Sequence, residues 1–174
     1  MLHDNYLPEY HFNEKHSILI SASPSRVYQE MITLEASQSW IVRLLLFLRG
    51  IPSGTSNGME GWKSMGFVLL EHQLDREVIL GLIGQFWKVN GKIQSCTADE
   101  FMKFNDPEFA KATWNFEIIT HQQSQVVLET ETRIYCVNEK AQKKFKRYWF
   151  FIKPFSGLIR IEMLKIIKRK AERN

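Results

Sequence analysis

The fold of this chain is decided by residues 111–136, which read KATWNFEIITHQQSQVVLETETRIYC. Apolar and polar side chains alternate on both sides of the central HQQS segment. Trp114 and Phe116 share one face of the first half, and Val126 and Leu128 share one face of the second. Such alternation is typical of antiparallel strands that bury one face. Because the linking segment is short, we predict a hairpin of two neighbouring strands.

Further strand patterns lie upstream of this hairpin. We predict strands at 12–20, 67–73 and 76–87, and residues 93–104 are ambiguous, with a short strand near 93–96 as one reading. Gly81 and Gly84 lie inside the third of these segments and suggest a bulge or a sharp bend. The chain is therefore rich in strands from residue 67 to residue 136.

Two helices are predicted between the first strand and the second. Ser23 is suited to cap a helix that begins at Pro24 and ends near Leu34. A second helix, capped by Ser37 or Ser39, is apolar nearly all round and ends at Leu48. The glycine-rich residues 51–61 then form either a plain connecting loop or a lid.

The last element is a long helix that starts at Glu139 or Lys140, after the capping residue Asn138, and runs almost to Asn174. Pro154 lies inside it and should kink or break it near Phe150. One apolar stripe recurs along the helix, and a second stripe flanks it. The first contains Phe145, Trp149, Ile152, Ile159, Met163 and Ile166; the second contains Tyr148, Phe151, Phe155 and Leu158. Since a sheet with one apolar face needs a cover, we expect this helix to provide it.

The 174 residues suit one domain, residues 1–174, in which residues 1–9 form a loose N-terminal arm. We expect a cytoplasmic protein with Cys96 and Cys136 as reduced thiols, because no basic region followed by an apolar run opens the chain. The longest apolar run is much shorter than the about 20 residues of a membrane span.

The net charge of +4 is unevenly distributed. Residues 139–174 carry twelve Lys or Arg and three Asp or Glu, so +9, and the remaining residues carry −5. The basic end of the helix complements the helix dipole and favours solubility. Attraction to an anionic membrane surface is an alternative reading. We expect no nucleic-acid partner, because no recognition motif accompanies these charges.

The element order and several motifs resemble the START-related, polyketide cyclase-like (SRPBCC) helix-grip superfamily, in a bacterial branch of uncharacterised proteins. The motifs are REVILG at 76–81, FW at 86–87, AKATWNF at 110–116, TETR at 130–133, YW at 148–149, and SGLIR at 156–160 after Ile152 and Pro154. The resemblance implies an α+β domain in which a curved antiparallel sheet of six or seven strands wraps around the C-terminal helix, with two short helices between the first and second strands. It also implies an internal cavity, and this architecture hosts binding, transport and catalysis alike.

That cavity is the predicted site. We expect aromatic and aliphatic side chains to line it, with hydroxyl groups and two ionisable residues as polar members, although each aromatic residue could instead fill the core. The predicted lining is Trp114, Phe116, Thr130, Thr132, Tyr148, Phe151, Phe155 and Leu158, with Glu14 and His16 as further polar groups. No metal or cofactor is expected, because the five histidines are scattered and no phosphate-loop signature is present.

Glu131 and Arg133 fall on the polar face of their strand. We expect this face to be solvent-exposed, with a structural ion pair to Arg160 as the alternative.

Three function hypotheses follow from these patterns. The first is binding, or transport, of a hydrophobic small molecule such as a lipid, isoprenoid, quinone or polyketide. The second is a cyclase- or dehydratase-type enzyme that uses Glu14, His16 or Tyr148 as an acid or base. The third is a peripheral adaptor that docks on a membrane or a protein partner through residues 40–48 and the basic C-terminal helix. The sequence leaves the oligomeric state open.

Overall fold

The structure is a computed structural model that describes residues 2–34, 58–88, 91–122 and 124–173. These residues form five helices and five strands. They are α1 (His3–Tyr6), β1 (Phe12–Ile20), α2 (Pro24–Ile32), α3 (Gly58–Ser64), β2 (Val68–Gln73), β3 (Glu77–Gly84), α4 (Ala98–Lys103), β4 (Ala110–Gln122), β5 (Gln125–Cys136) and α5 (Glu139–Ala171).

The strands form one antiparallel sheet in the order β1-β5-β4-β3-β2. The predicted hairpin is confirmed, since β4 pairs with β5 from Ala110↔Cys136 to Gln122↔Gln125. The described residues contain five strands rather than the six or seven expected, because residues 93–96 contribute only an isolated bridge between Ile83 and Gln94. The sheet and the long C-terminal helix confirm the α+β, helix-grip fold class.

Gly81 has a different role from the bulge that we expected. β3 pairs with β4 in unbroken register, and the irregularity lies in β2, between Leu69 and Glu71. A Cβ atom on Gly81 would come within 2.9 Å of the Phe101 ring. The glycine therefore lets α4 approach the sheet closely.

α5 runs from Glu139 to Ala171 without a break, so of the kink or break expected near Phe150 the break does not occur. Asn138 caps the helix by accepting a 2.7 Å hydrogen bond from the backbone N–H of Ala141. Pro154 removes one backbone donor, but Phe145 on one side of it and Met163 on the other are almost fully buried. Packing on both sides of the proline holds the helix together, as tertiary contacts commonly do for helices.

The concave face of the sheet packs against α5, α2 and α3. Trp114, Phe116 and Leu128 from the sheet share one buried cluster with Met163 and Ile167 from α5. α2 is confirmed and ends at Ile32, and Ser23 caps it through the backbone N–H of Arg26. The predicted second helix, up to Leu48, lies outside the described residues.

The predicted glycine-rich loop at 51–61 is only partly described. Gly58 to Gly61 belong to α3, and residues 51–57 lie outside the described residues. No helix in the described parts of the chain combines the length and the apolarity that crossing a bilayer demands.

The convex face is covered over β3 and over the neighbouring parts of β4 and β5, in contrast to our expectation of a wet face, whereas on β1 its residues Asn13, Lys15, Ser17 and Leu19 are exposed. Leu2, from the region of α1, and Phe101, from α4, form a second cluster with Ile79 and Ile83 of β3. The predicted loose arm is therefore packed against the sheet from residue 2 to residue 7, where Leu2, His3 and Leu7 are buried. A four-residue helix leaves little trace in a sequence, and its order comes from the surface that it covers.

Glu131 and Arg133 lie beneath this N-terminal segment and are buried, so the expectation of solvent exposure is wrong. Arg133 bonds Glu131 at 3.2 Å and Asp4 at 2.8 Å. Arg160 is not their partner, because it lies on the opposite face of the sheet, against Thr132. Alternation correctly predicts which residues share a face, but it does not predict what covers that face.

Candidate functional site: a groove beside the edge strand

A groove of about 720 Å³ lies between the edge strand β1 and the middle of α5. Its volume is in the range of small-molecule sites, about 300–1,000 Å³. Most of its lining is apolar. The lining residues are Phe12, Glu14, His16, Lys146, Trp149, Phe150, Lys153, Pro154, Gly157, Leu158 and Ile161.

Aromatic packing shapes one end of the groove. The ring of Phe12 lies 4.9 Å from the ring of Phe145, and Trp149 stacks on Phe145 with the ring centres 5.7 Å apart. Phe145 itself is almost fully buried. Since Phe145 belongs to the core, it fixes the two aromatic side chains that face the groove.

The exposed rim of the groove combines apolar and basic side chains. Phe150 and Leu158 are exposed over 78% and 52% of their surface. Lys146 and Lys153 are also exposed and stand on the same rim. The rim thus offers apolar contact and positive charge together.

The floor of the groove holds two ionisable residues of β1. Glu14 pairs with Thr132 and His16 with Thr130 in the β1–β5 ladder, so both side chains face the concave side of the sheet. Glu14 Oε1 lies 3.2 Å from His16 Nε2, and Glu14 is buried while His16 is half-buried. A carboxylate and an imidazole in contact can share a proton or bind the polar end of a ligand.

Arg160 holds the floor from the side of the helix. Its Nη1 atom lies 3.7 Å from Glu14 Oε2, its Nε donates to Thr132 Oγ1 at 3.1 Å, and its guanidinium stacks on Trp114 at 5.3 Å. Arg160 also donates to the backbone oxygen of Ser156 at 3.0 Å and to the Ser156 hydroxyl. This buried arginine therefore ties α5 to both β1 and β5. Arg160 thus joins strand to helix as expected, but its partners are Glu14 and Thr132 instead of the predicted Glu131 and Arg133.

Gly157 lets the helix approach the floor. A Cβ atom at this position would come within 2.6 Å of Glu14 Oε1 and 3.3 Å of His16 Nε2. No other residue type leaves this space, so the glycine of the SGLIR motif defines the depth of the groove. Gly157 was expected only to add flexibility near Pro154 and was not among the predicted site residues.

Three of the predicted lining residues belong to the packed core. Trp114 and Phe116 are buried, and Trp114 contacts the ring of Trp62 edge to face at 4.9 Å. Thr130 accepts a 2.7 Å hydrogen bond from the Trp114 indole and donates one of 2.7 Å to the backbone oxygen of Asn115. The hydroxyl of Thr130 is therefore fully used inside the protein.

The predicted helix residues do not face Trp114. Phe151, Phe155 and Leu158 are exposed, and half-buried Tyr148 packs beside Phe145 at 5.7 Å. The expectation that this stripe faces the sheet is wrong, because the flanking stripe of α5 is rotated away and the main stripe makes the contact. Of the predicted residues, only Leu158, Glu14 and His16 line the groove.

The described ranges give little support to two further kinds of site, a metal site and a reactive cysteine. No group of three His, Cys, Asp or Glu side chains there is placed to hold a metal ion. Cys96 and Cys136 are free thiols, and burial raises the pKa of Cys136 to about 12, which makes it a poor nucleophile.

No protein-family model matches the chain, and no curated protein matches it. Solved structures do match. A hypothetical protein from Helicobacter pylori is 10% identical, with a TM-score of 0.46, and the match covers 97% of this chain and 94% of that chain.

Two further solved structures carry named activities. Norcoclaurine synthase from Thalictrum flavum is 9% identical with a TM-score of 0.41, and the match covers 94% of this chain and 95% of that one. The di-domain ARO/CYC BexL, from the BE-7585A biosynthetic pathway, is 10% identical with a TM-score of 0.34, and the match covers 93% of this chain and 47% of that one. These activities belong to those proteins, and what this chain has, by its own sheet order and C-terminal helix, is the helix-grip fold.

Proposed function

We propose that this protein binds a hydrophobic small molecule in the groove between β1 and α5. The observation that carries the proposal is the groove itself: about 720 Å³ of open space with apolar walls that ends on the Glu14–His16 pair. Ligand sites commonly combine a mostly apolar lining with a few polar groups that orient the ligand.

The lining indicates the chemistry of the ligand. An apolar body would lie along Trp149, Leu158 and Ile161. A polar end would meet either the floor at Glu14 and His16 or the two lysines on the rim. Lipids, isoprenoids, quinones and polyketides all have this amphiphilic form, and the groove does not distinguish among them.

A fluorescent probe tests this proposal directly. We expect anilinonaphthalene sulfonate, an anionic aromatic amphiphile, to bind the full chain and to be displaced by oleate. Ile161→Glu places a charge on the apolar wall and should weaken probe binding by about tenfold, the equivalent of the about 1.5 kcal/mol of a buried apolar side chain. Ile119→Glu is the matched control, because Ile119 is exposed to a similar extent, 41% against 36%, and does not line the groove.

Two outcomes would contradict the proposal. The first is a probe affinity that Ile161→Glu and Ile119→Glu change equally. The second is a protein that binds neither the probe nor oleate and releases no apolar molecule on organic extraction. Far-ultraviolet circular dichroism of both variants checks that the fold is retained.

A second candidate function is acid–base catalysis on the bound molecule. The specific observation is the 3.2 Å contact between Glu14 and His16 on the floor of the groove. If the protein converts its ligand, Glu14→Gln should keep probe binding within about twofold and lose product formation by about a hundredfold or more. Mass spectrometry of the extracted ligand after incubation with each protein measures this, and equal product from both proteins would remove the candidate.

A further inference from the structure

The outer side of α5 carries exposed aromatic side chains in adjacent positions. Phe150 and Phe151 are exposed over 78% and 70% of their surface, and Leu158, two turns further on, over 52%. Of the eleven large hydrophobic side chains exposed in the described residues, five lie between residues 150 and 161 of this helix. Apolar surface concentrated in this way commonly marks an interaction site.

Basic side chains precede these aromatic ones on the same helix. Residues 139–153 contain six Lys or Arg and one acidic residue, Glu139, so their net charge is +5. Steps of three and four residues connect Lys143, Arg147 and Phe150 or Phe151, and Leu158 lies seven residues, or two turns, beyond Phe151, so they share one side of the helix. We call this surface the basic–aromatic face. It consists of the exposed residues Lys140, Lys143, Lys144, Arg147, Phe150, Phe151 and Leu158.

We propose that the basic–aromatic face docks on an anionic lipid bilayer. In this arrangement Phe150, Phe151 and Leu158 enter the boundary between headgroups and acyl chains, and the lysines and Arg147 contact the anionic headgroups. Helices that lie in a membrane interface show this combination of exposed aromatic and aliphatic residues with Lys and Arg. The excess positive charge complements the negative potential of such a membrane.

Other occupants fit the same surface less well. A second copy, related by twofold symmetry, would bury the basic residues of both copies in one interface without acidic partners on the face, because each copy presents the same patch. Nucleic acid would find phosphate contacts in the lysines and rings for stacking in Phe150 and Phe151, but it would leave the aliphatic side chain of Leu158 in water. A bilayer accommodates both the charges and the apolar side chains.

The basic–aromatic face adjoins the groove, but several of its residues do not line the groove. Phe150 and Leu158 line the groove and also belong to the basic–aromatic face, whereas Phe151, Lys144 and Arg147 do not line the groove. A docked protein would thus hold the groove next to a hydrophobic phase. Variants at the last three residues test docking while leaving the proposed ligand site unchanged.

Co-flotation of the full chain with vesicles tests the proposal. We expect the protein to float with vesicles of phosphatidylcholine and phosphatidylserine, and not with pure phosphatidylcholine. Phe151→Ser should weaken partitioning by about tenfold. Reversal of two charges, Lys144→Glu with Arg147→Glu, should weaken it by about thirtyfold or more.

Matched controls use exposed residues outside the face. Leu74→Ser removes a side chain exposed over 74%, and Lys92→Glu with Lys103→Glu reverses two exposed charges between β3 and β4. Both should leave partitioning unchanged.

Three results would overturn the proposal. They are no flotation on anionic vesicles, equal losses in the face variants and the controls, or a dimer in solution that Phe151→Ser dissociates. The last result would assign the face to a second copy of the chain. If the natural chain floats with anionic vesicles but does not bind the probe, the proposed groove function is overturned and the docking proposal is not.

Discussion

Gly157 and Arg160 show how single residues build the floor of the groove. Gly157 removes a side chain where Glu14 and His16 approach the helix. Arg160 places a positive charge 3.7 Å from the Glu14 carboxylate in a buried environment. Both residues sit in the SGLIR motif at 156–160, within one turn of α5.

Gly157→Ala should alter the groove more than the stability. The added methyl group would displace Glu14 Oε1, the flexible end of its side chain, and separate it from His16. Alanine favours a helix by about 1 kcal/mol over glycine, which offsets the cost of moving Glu14. We expect urea unfolding within about 1 kcal/mol of the natural chain and a clear loss of probe affinity. Unchanged affinity would show that the approach of Glu14 to the helix does not matter for binding.

Arg160→Leu should strongly destabilise the protein. It leaves the Glu14 carboxylate buried without its nearest positive charge and the Thr132 hydroxyl without its donor. Removal of one partner of a buried ion pair commonly costs about 3–5 kcal/mol. Chemical denaturation measures this cost, and Glu14→Gln in the same chain should recover part of it. No recovery in the double variant would show that Arg160 stabilises the fold mainly through Ser156 and Thr132.

At the scale of elements, α1 is attached to the sheet by a buried polar network. The backbone N–H of Leu2 donates to Glu77 at 3.0 Å, and His3 Nδ1 lies 3.4 Å from Glu131. Burial, together with the charge of Arg133, lowers the pKa of His3 to about 4. Hydrogen bonds from Arg133 and Asn13 outweigh burial at Glu131 and hold its pKa below the usual value.

This network predicts that acid destabilises the protein. The unfolded chain takes up a proton at His3 near the ordinary pKa of about 6.5, whereas the folded chain does so only near about 4. The contribution of His3 to the free energy of unfolding is fully present above its pKa in the unfolded chain. It is lost as the pH falls towards its pKa in the folded chain. We expect a loss of about 2 kcal/mol between about pH 7 and about pH 5, measured by urea unfolding at each pH.

His3→Gln serves as the control for this pH dependence. The variant cannot take up the proton, so its unfolding free energy should change much less between the same two pH values. An equal slope in both proteins would mean that His3 does not titrate differently on folding. Asp4 and Glu131, whose pKa values are also lowered, contribute to the pH dependence mainly below about pH 5, because carboxyl groups of the unfolded chain take up protons near about pH 4.

At the scale of the whole molecule, the sheet has cores on both faces. Leu80 of β3 belongs to the cluster beneath α5, and its neighbour Ile79 belongs to the cluster beneath α1 and α4. Both side chains are nearly or fully buried, at 3% and 0% exposed.

Truncation of either residue should therefore cost a similar amount. We expect Leu80→Ala and Ile79→Ala each to lower the free energy of unfolding by about 2–5 kcal/mol, in one cooperative transition. A loss below about 1 kcal/mol for Ile79→Ala alone would show that the convex cluster is not part of the cooperative core.

The sequence by itself determined the five strands, the helices α2 and α5, and the faces that residues share on the central hairpin. The alternation in residues 111–136 correctly predicted the hairpin and the face shared by Trp114 and Phe116, and apolar spacing predicted the long helix. These signals are local, because backbone geometry alone sets the period of a strand or a helix.

Only the tertiary structure decided what covers each face and where open space remains. Glu131 became buried through His3, a residue 128 positions away, and Arg160 joined Thr132 across 28 positions. Tertiary packing likewise determines which stripe of α5 contacts the sheet. As a result Phe151 is exposed, and the groove opens at Gly157. Contacts between distant residues depend on how whole elements dock, and a periodic pattern carries no information about the partner on the other side.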